Sequence, residues 1–90
     1  MRVEWTEITG ASVASLHGPV NSKGAEAIAA VGLSANSPST RVVVDLANVT
    51  AVDDDGVELL EALSRLRNVA MVNVPAVLVA AMEKLGHFGF

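Results

Sequence analysis

Ninety residues with a net charge of −4 leave room for one packed core and little else. Hydrophobic side chains make up 51% of the chain and charged ones only 18%, which excludes a disordered polymer. The acidic balance argues against non-specific nucleic-acid binding, and the lack of cysteine removes disulfides, thiolate metal sites and a Cys nucleophile.

Met1–Glu7 is charged and unlike a signal peptide. The uncharged stretch Asn68–Met82 is interrupted by Asn73 and Pro75 and falls short of the roughly 20 apolar residues of a spanning helix. A soluble, cytoplasmic protein of one domain, residues 1–90, is expected. Aromatic residues are 3% of the chain, so its core must be built from small aliphatic side chains at close packing.

Val3 and Trp5 alternate with Arg2, Glu4 and Thr6, a strand pattern. Thr9-Gly10 reads as a turn and Val13–Leu16 as a second strand, ended by Gly18-Pro19. Asn21 or Ser22 can cap a helix with Ala25, Ile28, Ala29 and Gly32 on one face. Asn36–Thr40 is a loop by composition. Val42-Val43-Val44 lies in a third strand, and a β-branched run without alternation predicts cover on both faces.

The next helix carries the strongest signal. Asp55 and Glu58 have capping-box spacing, Leu59, Leu60, Leu63 and Leu66 form an apolar stripe, and Glu61 precedes Arg65 by four. That helix is expected to stop near Asn68. Val69–Val74 reads as a buried strand. Pro75 suits the first turn of a last helix, with Val77, Leu78, Ala81, Met82 and Leu85 inward and Gly86 at its end. Strands alternating with helices imply a mostly parallel sheet.

Three consecutive carboxylates, Asp53-Asp54-Asp55, stand between a strand and a helix. Capping and the helix dipole can hold them there with no further role. Their context adds to that. Val43-Val44-Asp45-Leu46, then Val49, then Val52-Asp53-Asp54-Asp55-Gly56 and an apolar helix, together with Leu16-His17-Gly18-Pro19-Val20 upstream, resemble the STAS domain family of the anti-sigma factor antagonist type.

The resemblance spans the chain and implies an α/β, STAS-like single domain. It would have a mixed, mostly parallel sheet of about four strands with three or more helices packed against it. It also implies a non-enzymatic, bacterial protein-interaction module without a cofactor. The partner would be an anti-sigma factor or related kinase-like protein, acting through partner switching in transcription regulation, with no nucleic acid, no membrane insertion, and a homodimer left open.

In that family a kinase phosphorylates a serine in an Asp-Ser-Ser-Gly turn. Here Asp54 and Asp55 stand at the two serine positions. The turn has no hydroxyl to esterify and carries permanent charge resembling the phosphorylated state. Asp53, Asp54, Asp55, Gly56, Glu58 and Glu61 are the candidate partner-binding residues.

Two alternatives stand beside this. One is a STAS subunit of a membrane transporter or signalling scaffold. The other is a small acidic metal- or ligand-binding protein, although consecutive carboxylates point in different directions. His17 and His87 are expected as capping or surface groups. Phe88 and Phe90 are expected to fold back against the edge of the core.

Overall fold

A computed structural model describes residues 1–36 and 39–86. Strands β1 (Arg2–Ile8) and β2 (Ala11–Val20) form a hairpin through Thr9 and Gly10, as expected. A single 3-10 turn, Ser22–Gly24, then leads into α1 (Ala25–Ser34). Asn21 begins it, its side-chain oxygen accepting the Lys23 N–H at 3.0 Å. Strand β3 (Val42–Val52), α2 (Asp54–Ser64), β4 (Val69–Val72) and α3 (Ala76–Lys84) complete the order. The sheet order is β1-β2-β3-β4, with the first pair antiparallel and the other two parallel.

One cluster of buried side chains joins the sheet to all three helices. Ala14, Leu16, Val42, Val44, Leu46 and Val49 meet Ile28 and Val31 of α1, Leu60 and Leu63 of α2, and Leu78 and Met82 of α3. The helices therefore share one face of the sheet. Val43 is only half-buried, so the cover on both faces expected for the valine run is not realised. Consecutive parallel strands laid down in one direction place their crossover helices on one side.

Gly18-Pro19 does not end β2. The strand continues to Val20, with register shifts between Ser15 and His17 and between Gly18 and Pro19. Gly18 adopts φ +95°, a conformation that a side chain would oppose. Pairing with β1 stops at His17, so Pro19 lies beyond the hairpin, where a missing N–H costs less.

The first shift is a bulge in β3 that keeps both Leu46 and Val49 in the core. Asp45 supports it. Its Oδ1 accepts the Ala47 N–H at 3.0 Å and the Asn73 Nδ2–H at 3.1 Å. Asn73 has φ +56° and ends β4 two residues sooner than expected.

The helices also bury other residues than their stripes predict, and α1 and α3 bury fewer. In α1 the buried residues are Ile28 and Val31, not the alanine face. In α2 the buried residues are Gly56, Val57, Leu60 and Leu63, whereas Leu59 is half-buried and Leu66, beyond the helix, is exposed. That helix ends at Ser64 rather than near Asn68. In α3 Leu78 and Met82 point inward, whereas Val77 and the C-terminal cap residue Leu85 are exposed. Pro75 caps α3 from outside rather than entering its first turn. A surface helix buries only the stripe that faces the sheet, and among the described residues nothing further covers its flanks. His87, Phe88 and Phe90, and part of the Asn36–Thr40 loop, lie outside the described residues.

Candidate functional site: the acidic start of α2

The chain leaves β3 at Val52 and enters α2 within one residue. Asp53 is extended, with φ −95° and ψ −176°, and its Oδ1 accepts the Gly56 N–H at 2.7 Å. Its carbonyl accepts the Val57 N–H at 2.9 Å, the first bond of the helix. The cap is therefore Asp53, not Asp55, and the expected Asp55–Glu58 capping box is not formed. A side-chain cap needs a non-helical, typically extended backbone, and Asp55 already lies in the first helical turn.

Asp54 and Asp55 are exposed on that turn, where free backbone N–H groups and the positive end of the helix dipole favour carboxylates. Glu58 is exposed one turn on. Glu61 is half-buried and forms an ion pair with Arg65, the pairing expected from their spacing. Asp53–Glu58 thus gather at one helix start, and Glu61 continues the same helix. Among the described residues, no group of three or more acidic or histidine side chains is arranged to hold a metal ion. His17 lies on β2 with its Nε2 3.5 Å from Glu4 Oε2.

Gly56 fixes where this turn sits. It is buried against the ends of β2 and β3. A Cβ built there would lie 2.1 Å from the Val20 carbonyl oxygen and 3.0 Å from Val52 Cγ1. The Asp53 N–H bonds the same Val20 carbonyl at 3.4 Å. Backbone contact on two sides holds the acidic turn to the sheet.

Beside the turn runs a feature that the spacing of apolar residues did not disclose. A groove of about 220 Å³ separates α1 from α2, walled by Ala25, Ala29 and Gly32 on one side and Leu59, Ala62 and Leu66 on the other. It opens into a hollow of about 280 Å³ that reaches Asp55 and Glu58. The clue was present in the alanine face of α1, which suits a shallow wall better than a core contact.

The capping geometry makes one clear contrast. Asp53→Ala should destabilise the fold by about 0.5–2 kcal/mol. Asp55→Ala should change it by no more than about 0.5 kcal/mol, since the loss of a favourable dipole contact is offset by alanine's helix propensity. Urea denaturation of both variants measures the difference, and equal midpoints would refute the cap.

Among the described residues, a mixed four-stranded sheet carries three helices on one face and a capped helix starts against its central strands, which is the STAS fold. Over its described length the chain has the fold of an anti-sigma factor antagonist. The solved structure of the anti-sigma factor antagonist SpoIIAA in its unphosphorylated form matches with a TM-score of 0.62 and 18% identity, over 98% of this chain and 84% of that one.

Two crystal structures of Mglu, one in its native form in the presence of 4.3 M NaCl, match with TM-scores of 0.68 and 0.66 at 23% and 18% identity. Each match covers 82% of this chain but only 20% and 26% of the Mglu chains, so this chain spans about a quarter or less of their length. No family model matches the sequence, and no curated protein matches it. Among the described residues, no helix is long and apolar enough to cross a membrane.

Proposed function

We propose that the chain is a non-enzymatic, cytoplasmic protein-interaction regulator of the anti-sigma factor antagonist kind. Its partner is an anti-sigma factor or related kinase-like protein, and Asp53, Asp54, Asp55, Gly56, Glu58 and Glu61 form the docking surface. The observation that carries this is the likeness to the antagonist SpoIIAA over nearly the whole chain. The exposed Asp54 and Asp55 support it, standing where the resemblance places two serines, the second of them, at Asp55, the usual phosphoacceptor.

Two carboxylates there give the turn fixed negative charge without a hydroxyl to esterify. Phosphate would add about −1.5 to −2 charge and three acceptor oxygens, so each carboxylate reproduces only part of the phosphorylated surface. A partner that binds this turn must tolerate or complement the charge with Lys or Arg.

Incubation with an anti-sigma factor kinase and ATP should leave residues 53–56 unmodified by mass spectrometry. A phosphoryl ester at high occupancy on nearby Thr50, changing partner affinity, would overturn the switchless reading. Replacing Asp54 and Asp55 together with serine should change partner affinity and its salt dependence in calorimetric titration. An unchanged double variant, with binding abolished from a distant face instead, would reduce the turn to a helix cap.

A second reading is a module of a larger assembly, such as a transporter or signalling scaffold. It draws on the Mglu matches, in which the matched part is a minor fraction of a longer chain.

A further inference from the structure

We propose that the groove between α1 and α2 seats one amphipathic helix of the partner, its apolar side chains entering between the two helices and a Lys or Arg at one end meeting Asp55 and Glu58. This rests on the reading that the acidic start of α2 is a partner surface, and it adds the shape and chemistry of what docks there.

Three observations converge. The walls are apolar and open: Ala29, Ala62 and Leu66 are exposed, and Leu66 retains 39% of its surface in water. The walls are low, because Ala25, Ala29 and Gly32 bring little side chain to the α1 rim. An incoming helix can therefore approach both backbones and cover Leu59 and Leu66, which the chain's own core leaves partly wet.

Charge supplies the occupant and its direction. Helices α1 and α2 each follow one of two parallel strands and run the same way, so both N-termini lie at one end of the groove. That end carries Asp55 and Glu58 beside Ser22, with Glu26 and Lys23 nearby on the α1 side. The far end lies by Leu66, between Arg65, which is paired with Glu61, and Arg67. The net charge of −4 disfavours a second copy as occupant and favours a basic segment.

The probe is a panel of synthetic helical peptides of about 14 residues, enough at 1.5 Å per residue to overspan α1. The panel carries leucines at i, i+3, i+4 and i+7 and lysines at one end. One control exchanges the leucines for serine, and another exchanges the lysines for glutamate. Amide shifts of the isotope-labelled protein are followed by NMR. Saturable shifts are expected at Ala25, Gly32, Leu59 and Ala62, for the Leu/Lys peptides and not for the controls.

Ala62→Arg, on the exposed wall, should weaken binding by about tenfold or more, whereas Ala80→Arg on α3 should not. Gly32→Ala gives a signature of opposite signs. Its new Cβ would meet Leu66 Cδ1 at 3.5 Å, an ordinary contact, so the folding midpoint should rise while the shallower groove binds less.

Absence of saturable shifts, or equal binding of the serine control, overturns the proposal. Shifts confined to the acidic turn and indifferent to Ala62→Arg leave the docking surface standing and remove the groove. If the Asp54/Asp55 double serine variant is silent as well, both readings fall. Concentration-dependent self-association that Ala62→Arg abolishes would make the occupant a second copy and overturn the basic partner.

Discussion

Gly56→Ala is expected to destabilise the protein by about 3 kcal/mol or more, among the larger effects a single methyl can have. The added Cβ would fall 2.1 Å from the Val20 carbonyl oxygen, a backbone atom that no rotamer change can move aside. Either α2 lifts from the sheet or β2 shifts, and both disturb the Asp53 N–H bond to the same carbonyl. Gly32→Ala is the internal control. It is the same exchange in the neighbouring helix, where the new carbon has room, and it should stabilise. Urea denaturation of the pair reads both signs. A Gly56→Ala protein as stable as the parent would mean that the helix does not start against Val20.

Leu60→Ala is expected to cost about 2–5 kcal/mol. Leu60 is completely buried on the inward face of α2, in the cluster that joins the helices to the sheet. Removing its isobutyl group leaves a cavity in a close-packed core whose commonest residue is valine, a short, stiff side chain that cannot reach in to fill it. Leu66→Ala, six residues on, should cost less than about 1 kcal/mol, because Leu66 is already partly in water. Denaturation midpoints separate the two leucines that a helical stripe treats alike.

That pair shows what the sequence could and could not disclose. The order of elements was legible because each has its own period and punctuation: alternation in β1, Thr9-Gly10 at the hairpin, and Pro75 ahead of α3. The place of the acidic turn was legible too, since three carboxylates before a leucine-rich helix suit a helix start.

Which aspartate caps was not legible. Asp53, Asp54 and Asp55 have the same side chain, and the choice depends on where β3 releases the chain, one residue after Val52. Nor could the valine run reveal that, among the described residues, the helices cover one sheet face, because β-branched residues suit a half-covered strand nearly as well. Gly18-Pro19 looks like a strand end in one dimension. It is tolerated within β2 because the hairpin partner has already stopped at Arg2, opposite His17. The groove is not legible in the sequence for a similar reason: alanine on a helix face is compatible with both core and rim.

The seat of Gly56 has a consequence for the order in which the molecule assembles. Val20 and Val52, which form that seat, are partners in the parallel β2–β3 register and are separated in the chain by α1 and nearly all of β3. The β1–β2 hairpin can close locally within microseconds, but the seat exists only once a long crossover has been closed. The Asp53 cap is local, but its seat on Val20 is absent from any species in which β2 and β3 have not yet met. A ligand that grips Asp54 and Asp55 in their native setting would bind the finished fold and not its precursors. It would therefore raise apparent stability by RT ln(1 + [L]/Kd).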